Sequence, residues 1–158
     1  MEFCELDIAG LYFQLGHETH TSADVFNELC TTHQSSIGHF CRPPLLVIHA
    51  ISPTDRMDIY AKGYPNTITS MDKTGIYIAA KVGGTILTSE RIIVNYATKN
   101  NIACEHFGWV FDQLTGAGLL TPSLAADKLS RLVQKAGQHQ AKTSFLPELE
   151  NRINTWRR

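Results

Sequence analysis

Apolar positions along this chain alternate between two rhythms, one at helical spacing and one in short unbroken runs of strand length. Leu6, Leu11 and Leu15, with Phe3, Ile8 and Tyr12 beside them, form a stripe that predicts a helix over residues 3–15, closed by Gly16. Glu18-Thr19-His20-Thr21 is short and β-leaning. Ser22 is a natural cap for a following helix that carries Val25, Phe26 and Leu29 on one side and has Glu28 inside it. Residues 31–42 show little periodicity and run into Pro43-Pro44, which predicts a loop. Leu45 through Ile51 is a near-continuous apolar run, the pattern of a buried strand, and Ser52-Pro53 then opens a helix reaching about Lys62.

Past Gly63, Pro65 and Asn66, Ser70 is placed to cap a helix holding Ile76, Ala79, Ala80 and Val82, which Gly83-Gly84 ends. Asp72 lies in its first turn. Thr85-Ile86-Leu87-Thr88 reads as a strand, Ser89 caps a helix with Ile92, Ile93 and Tyr96 on its apolar side, and Glu90 becomes a second first-turn acid. A further short strand begins at Ile102-Ala103-Cys104, and three more amphipathic helices carry Trp109, Val110 and Leu114, then Leu124, Leu129, Leu132 and Val133, then Leu149, Ile153 and Trp156. Both tryptophans sit on apolar sides and read as core. Helices alternating with strands predict an α/β fold, a mostly parallel sheet flanked by helices.

A chain of 158 residues buries one sizeable core, so residues 1–158 read as a single domain. Fourteen Lys and Arg against fifteen Asp and Glu leave no global positive field, and any nucleic-acid contact must be local. No stretch approaches the ~18 apolar residues of a membrane span, and Met1-Glu2-Phe3-Cys4-Glu5 lacks a basic opening, so the expected location is the cytoplasm. Cys4, Cys30, Cys41 and Cys104, irregularly spaced, are expected to be reduced thiols.

Candidate chemistry lies with the acids. Asp72 and Glu90 both stand at helix starts in consecutive strand–helix units, where open α/β sheets bind ligands, and Glu28 offers a third carboxylate. Three such oxygen donors suit one loosely held Mg²⁺ or Mn²⁺ ion. An acid in a first helical turn is also favoured by the unpaired N–H groups and the dipole there, with no metal involved. Lys73 and Arg91, next to the acids, are candidate phosphate contacts or ordinary solvated helix charges. A second array, Cys30, His33, His39 and Cys41, has the residue types of a structural Zn²⁺ site at a spacing unlike a standard finger.

The stretch Ser70–Glu90, with an acid opening an Ala-containing helix, a Gly ending it and a strand running into Thr, Ser and Glu, resembles the second half of the PIN domains. His20–Leu29 is similar to the family's strand, turn and helix that place an acid at Glu28, and Phe145-Leu146-Pro147-Glu148-Leu149 is weakly similar to its tail. PIN domains are Mg²⁺/Mn²⁺-dependent ribonucleases, often the toxin half of bacterial toxin–antitoxin pairs. The resemblance implies a three-layer α/β fold and an RNA phosphodiester substrate. It also implies metal ligands and catalytic groups at Glu28, Asp72 and Glu90, with Thr88 or Ser89 orienting Glu90, and an antitoxin protein as partner. This sequence departs from the family in two ways: the first strand, which ends in Asp and forms the sheet's centre, has no match, and Glu90 stands where Asp is usual. Asp7, inside a helical pattern, is not its substitute. A sheet without its central strand exposes two edges, so the expectation is that a second copy, a partner segment or residues upstream of Met1 complete it; the alternative is a degenerate domain that binds or assembles without cleaving.

Overall fold

The computed structural model describes residues 2–138 and 145–158. In chain order its elements are α1 (Glu2–Glu5), α2 (Ala9–Gln14), β1 (Thr19–Ser22), α3 (Ala23–Glu28), α4 (Thr31–Gly38), β2 (Leu46–His49), α5 (Pro53–Ala61), α6 (Ser70–Val82), β3 (Ile86–Leu87), α7 (Arg91–Lys99), β4 (Cys104–Glu105), α8 (Phe107–Gly116), α9 (Pro122–Gln138) and α10 (Leu146–Trp156). The class is α/β with parallel strands, as the alternation predicts. The sheet differs: β1 pairs only with β2, from Thr19 opposite Leu46 to Ser22 opposite His49, and β3 pairs only with β4, Ile86 opposite Cys104. No strand among the described residues joins the two pairs.

Several local expectations need correcting. The helix over residues 3–15 is two helices, because Asp7 takes a left-handed φ of 51° that breaks the backbone ladder. Gly16, at φ 76°, does terminate the second of them; the side chain of Phe3 lies outside what is described. Part of the supposed loop over residues 31–42 is α4, held on by Ile37 packing against the main core, with no strong stripe to announce it. Two caps are shifted by one residue: Thr69 rather than Ser70 caps α6, and Glu90 rather than Ser89 occupies the cap position of α7. Ser52 caps α5 as expected and completes a reciprocal capping box with Asp55.

Packing divides into two clusters. The larger gathers Ile8 and Phe13 from the N-terminal segment, Leu46 from β2, and Val110, Phe111, Leu114, Leu129 and Ile153 from α8, α9 and α10. Trp109 and Trp156 pack against it, which agrees with their reading as core. Asp112 and Arg152 fasten α10 to α8 through a forked contact, with Nη2 at 2.8 Å from Oδ2 and Nε at 2.9 Å. The smaller cluster is Tyr64, Ile68, Ile76 and Ile93. Strand β3 alternates between them, Ile86 facing the smaller and Leu87 the larger, as the two-residue period of a strand requires.

Helix α6 ties the β1 pair to the β3 pair. Its N-terminal turn is anchored at the carboxyl end of β1, where the fully buried Ser22 hydroxyl lies 2.7 Å from that of Thr74. Thr74 spends its own proton on the Met71 carbonyl, so Ser22 donates to Thr74 while accepting from the Val25 N–H at 3.0 Å. At its other end Gly83, at φ 66°, ends the helix and leads into β3, which contacts α6.

Candidate functional site

The three acids lie on three different helices, Glu28 at the end of α3, Asp72 in the first turn of α6 and Glu90 at the cap of α7, and each already has a local setting. Glu28 is exposed in the last turn of α3. Asp72 is the capping partner of Thr69: the Thr69 hydroxyl donates to its Oδ2 at 2.5 Å while the Asp72 N–H donates back to Thr69 Oγ1 at 3.2 Å. That is the dipole-and-cap use of a first-turn acid. Glu90 is exposed at the cap position of α7; its side chain makes no capping bond, and its N–H donates to Thr88 Oγ1 at 3.1 Å. Thr88 therefore engages the backbone of Glu90. Among the described residues, no three His, Cys, Asp or Glu side chains are gathered where they could hold a metal ion. The donor set present does not fit a Mg²⁺ or Mn²⁺ centre.

The second array fares the same way. Cys30 caps the start of α4 and His39 its end, so about 13 Å of helical rise separates them, whereas one Zn²⁺ needs every ligand within about 2.3 Å. Cys41 donates to the Ile37 carbonyl at 3.6 Å, and burial pushes its thiol pKa up, away from the thiolate that a metal needs. Lys73 lines a shallow cleft of about 360 Å³ with Arg56, Tyr60 and Tyr64, while Arg91 is simply exposed.

Strand pairing creates a polar cluster that sequence spacing does not reveal. His20 and His49, 29 residues apart, meet across β1 and β2 with Nδ1 of the first 2.7 Å from Nε2 of the second. His20 Nε2 is 3.2 Å from Glu18 Oε1. If that nitrogen gives its proton to Glu18, neutral His20 accepts at Nδ1 and His49 must donate, which fixes both tautomers. Desolvation, then the charges of His20 and Lys81, lower the His49 pKa from 6.5. On the neighbouring helices Lys81 is 2.9 Å from Asp55, and Tyr77 donates to Asp55 at 2.7 Å and to Asp58 at 3.3 Å. The Ser52 hydroxyl, then Lys81 and Tyr77, hold the Asp55 carboxyl far below the carboxylate range, and the bond to Asp55 pushes the Tyr77 phenol up to about 12. These bonds lock α5 onto α6; they leave Asp55 saturated with donors and poorly suited to act as a base.

Between the two strand pairs lies a cavity of about 410 Å³. It is lined by residues of β1 and β3, by Tyr12 and Phe13 of α2, by Val25 and Phe26 of α3, and by Ile78 and Val82 of α6.

No family model, no curated protein and no solved structure matches this chain. No helix among the described residues is long and apolar enough to cross a membrane.

Proposed function

We propose that this chain is a PIN-like α/β domain that acts in binding and assembly and does not hydrolyse RNA with its own acids. The observation behind this reading is the dispersal of Glu28, Asp72 and Glu90, with Asp72 already committed to Thr69. Parallel strands in two separate pairs, with a cavity lined by residues of both, accord with a PIN-like arrangement short of its central strand. A ribonuclease working through these acids needs at least one more metal ligand brought to the same edge.

The test is incubation of the purified chain with a mixed single-stranded RNA and Mn²⁺, with EDTA and Asp72→Asn as controls. The expected result is no cleavage above the EDTA control. Cleavage abolished both by EDTA and by Asp72→Asn would overturn the proposal and establish a working acidic metal site.

A further inference from the structure

We infer that the cleft of about 360 Å³ between α5 and the start of α6 is a binding site for a small phosphate monoester carried on a flat ring. The inference goes beyond the binding reading above and does not rest on it.

The lining is cationic and polar. Arg56 and Tyr60 stand one turn apart on α5, and Ser70 and Lys73 one turn apart on α6, so each helix brings a neighbouring pair to the cleft. The connection between the helices adds Asn66. No Asp or Glu among the described residues lines it. The two acids closest in the contact network are engaged elsewhere, Asp24 with Arg56 at 3.0 Å and Asp72 with the Thr69 hydroxyl. Both contacts from Arg56 to Asp24 come from Nη2, so Nη1 and Nε keep N–H groups to donate.

Lys73 decides the sign of the ligand. Two lysines among the described residues are half-buried, and Lys128 answers its burial by donating to the Leu6 carbonyl at 2.6 Å. The Lys73 ammonium has no ion pair or hydrogen bond among the described residues. A partly desolvated ammonium without a partner favours an anion beside it. The side chains of Asn66 and Ser70 are likewise unbonded among the described residues, which adds an amide and a hydroxyl donor to the two cations. A phosphate monoester, with about 1.5 to 2 negative charges at neutral pH and three acceptor oxygens, uses all four groups, where a singly charged carboxylate leaves donors unfilled. Tyr60, 91 % exposed, holds a free ring face at the rim. The volume is at the small end of ligand pockets and leaves room for the phosphate and one ring stacked on that face.

The experiment titrates the whole chain, labelled with ¹⁵N, with phenyl phosphate and follows the amide signals of Asn66, Ser70 and Lys73. Saturable shifts are expected with a Kd of about 1 mM or tighter. Lys73→Gln is expected to weaken binding at least about tenfold, and Lys73→Arg to hold it within about threefold. Lys62→Gln, which removes an exposed charge outside the cleft, is expected to change nothing. Tyr60→Ala should weaken phenyl phosphate about fivefold and leave inorganic phosphate unaffected. Four outcomes overturn the inference. They are no saturable shift at these amides, equal binding of benzoate, an equal loss in Lys62→Gln and Lys73→Gln, or a six-nucleotide single strand binding more than about tenfold tighter than phenyl phosphate, which would assign the cleft to an extended nucleic-acid surface. None depends on RNA cleavage, so the cleft and the absence of hydrolysis can fail separately.

Discussion

The larger and smaller cores show two ways of holding this chain together. Among the described residues fifteen buried side chains form the first and four the second, and the first is closed mainly by helices packing on helices. Phe111, Val110, Leu114 and Leu129 are fully buried there without help from any strand ladder. The second leans on β3 and β4, whose ladder is two residues long, and on one face of α6. A two-stranded ladder is marginal alone, so each strand pair depends on the helices over it. Stability therefore concentrates in the helical half, while the half bearing two of the three acids, Asp72 and Glu90, is thinly supported.

The largest expected effect tests that ranking. Phe111→Ala removes a fully buried ring from the larger core and is expected to cost about 3–5 kcal/mol. Ile76→Ala, 2 % exposed in the smaller cluster, should fall near the lower end of the range of about 2–5 kcal/mol, because a four-residue cluster can close over the loss. Urea denaturation of both variants decides it. Equal costs would mean that the small core is no weaker than the large one.

A smaller effect probes the joint between β1 and α6. Ser22→Ala removes the cap of α3 and the donor to Thr74 together, and is expected to cost about 1–2 kcal/mol. Combined with Thr74→Val in a double-mutant cycle, it should reveal a coupling of at least about 0.5 kcal/mol. Additive losses would show that the two hydroxyls do not couple the strand to the helix.

What was legible in the sequence follows the same division. Helices with a firm apolar stripe, α6 and α7 through α10, could be read from spacing because each has a real core face to fill. So could the strand around Leu46 and the stops at Gly16 and Gly83, where left-handed φ suits glycine. Helix α4 was hidden because, among the described residues, Ile37 is its one side chain packed on the core, and the break at Asp7 because a left-handed non-glycine leaves no mark on periodicity. The acids at helix starts were visible, but spacing along a chain cannot show whether carboxylates on three elements converge. Nor could it show the pairing of His20 with His49, which depends on the register of two strands separated by α3 and α4.

That pairing yields the smallest expected effect, and one confined to the β1–β2 pair. Desolvation, with the charges of His20 and Lys81, holds the folded His49 below its ordinary pKa of 6.5. The unfolded chain therefore takes up a proton at higher pH than the folded one. Stability from this group is fully present above about pH 6.5 and is lost progressively as the pH falls toward the folded value. Protonating His49 also places its charge near that of Lys81, a repulsion that disfavours the charged form in the folded state. Thermal melts of the wild type should show a lower Tm at pH 5.5 than at pH 7.5, and His49→Asn should show a smaller fall over the same interval. An undiminished fall in His49→Asn would move the pH sensitivity away from the β1–β2 pair.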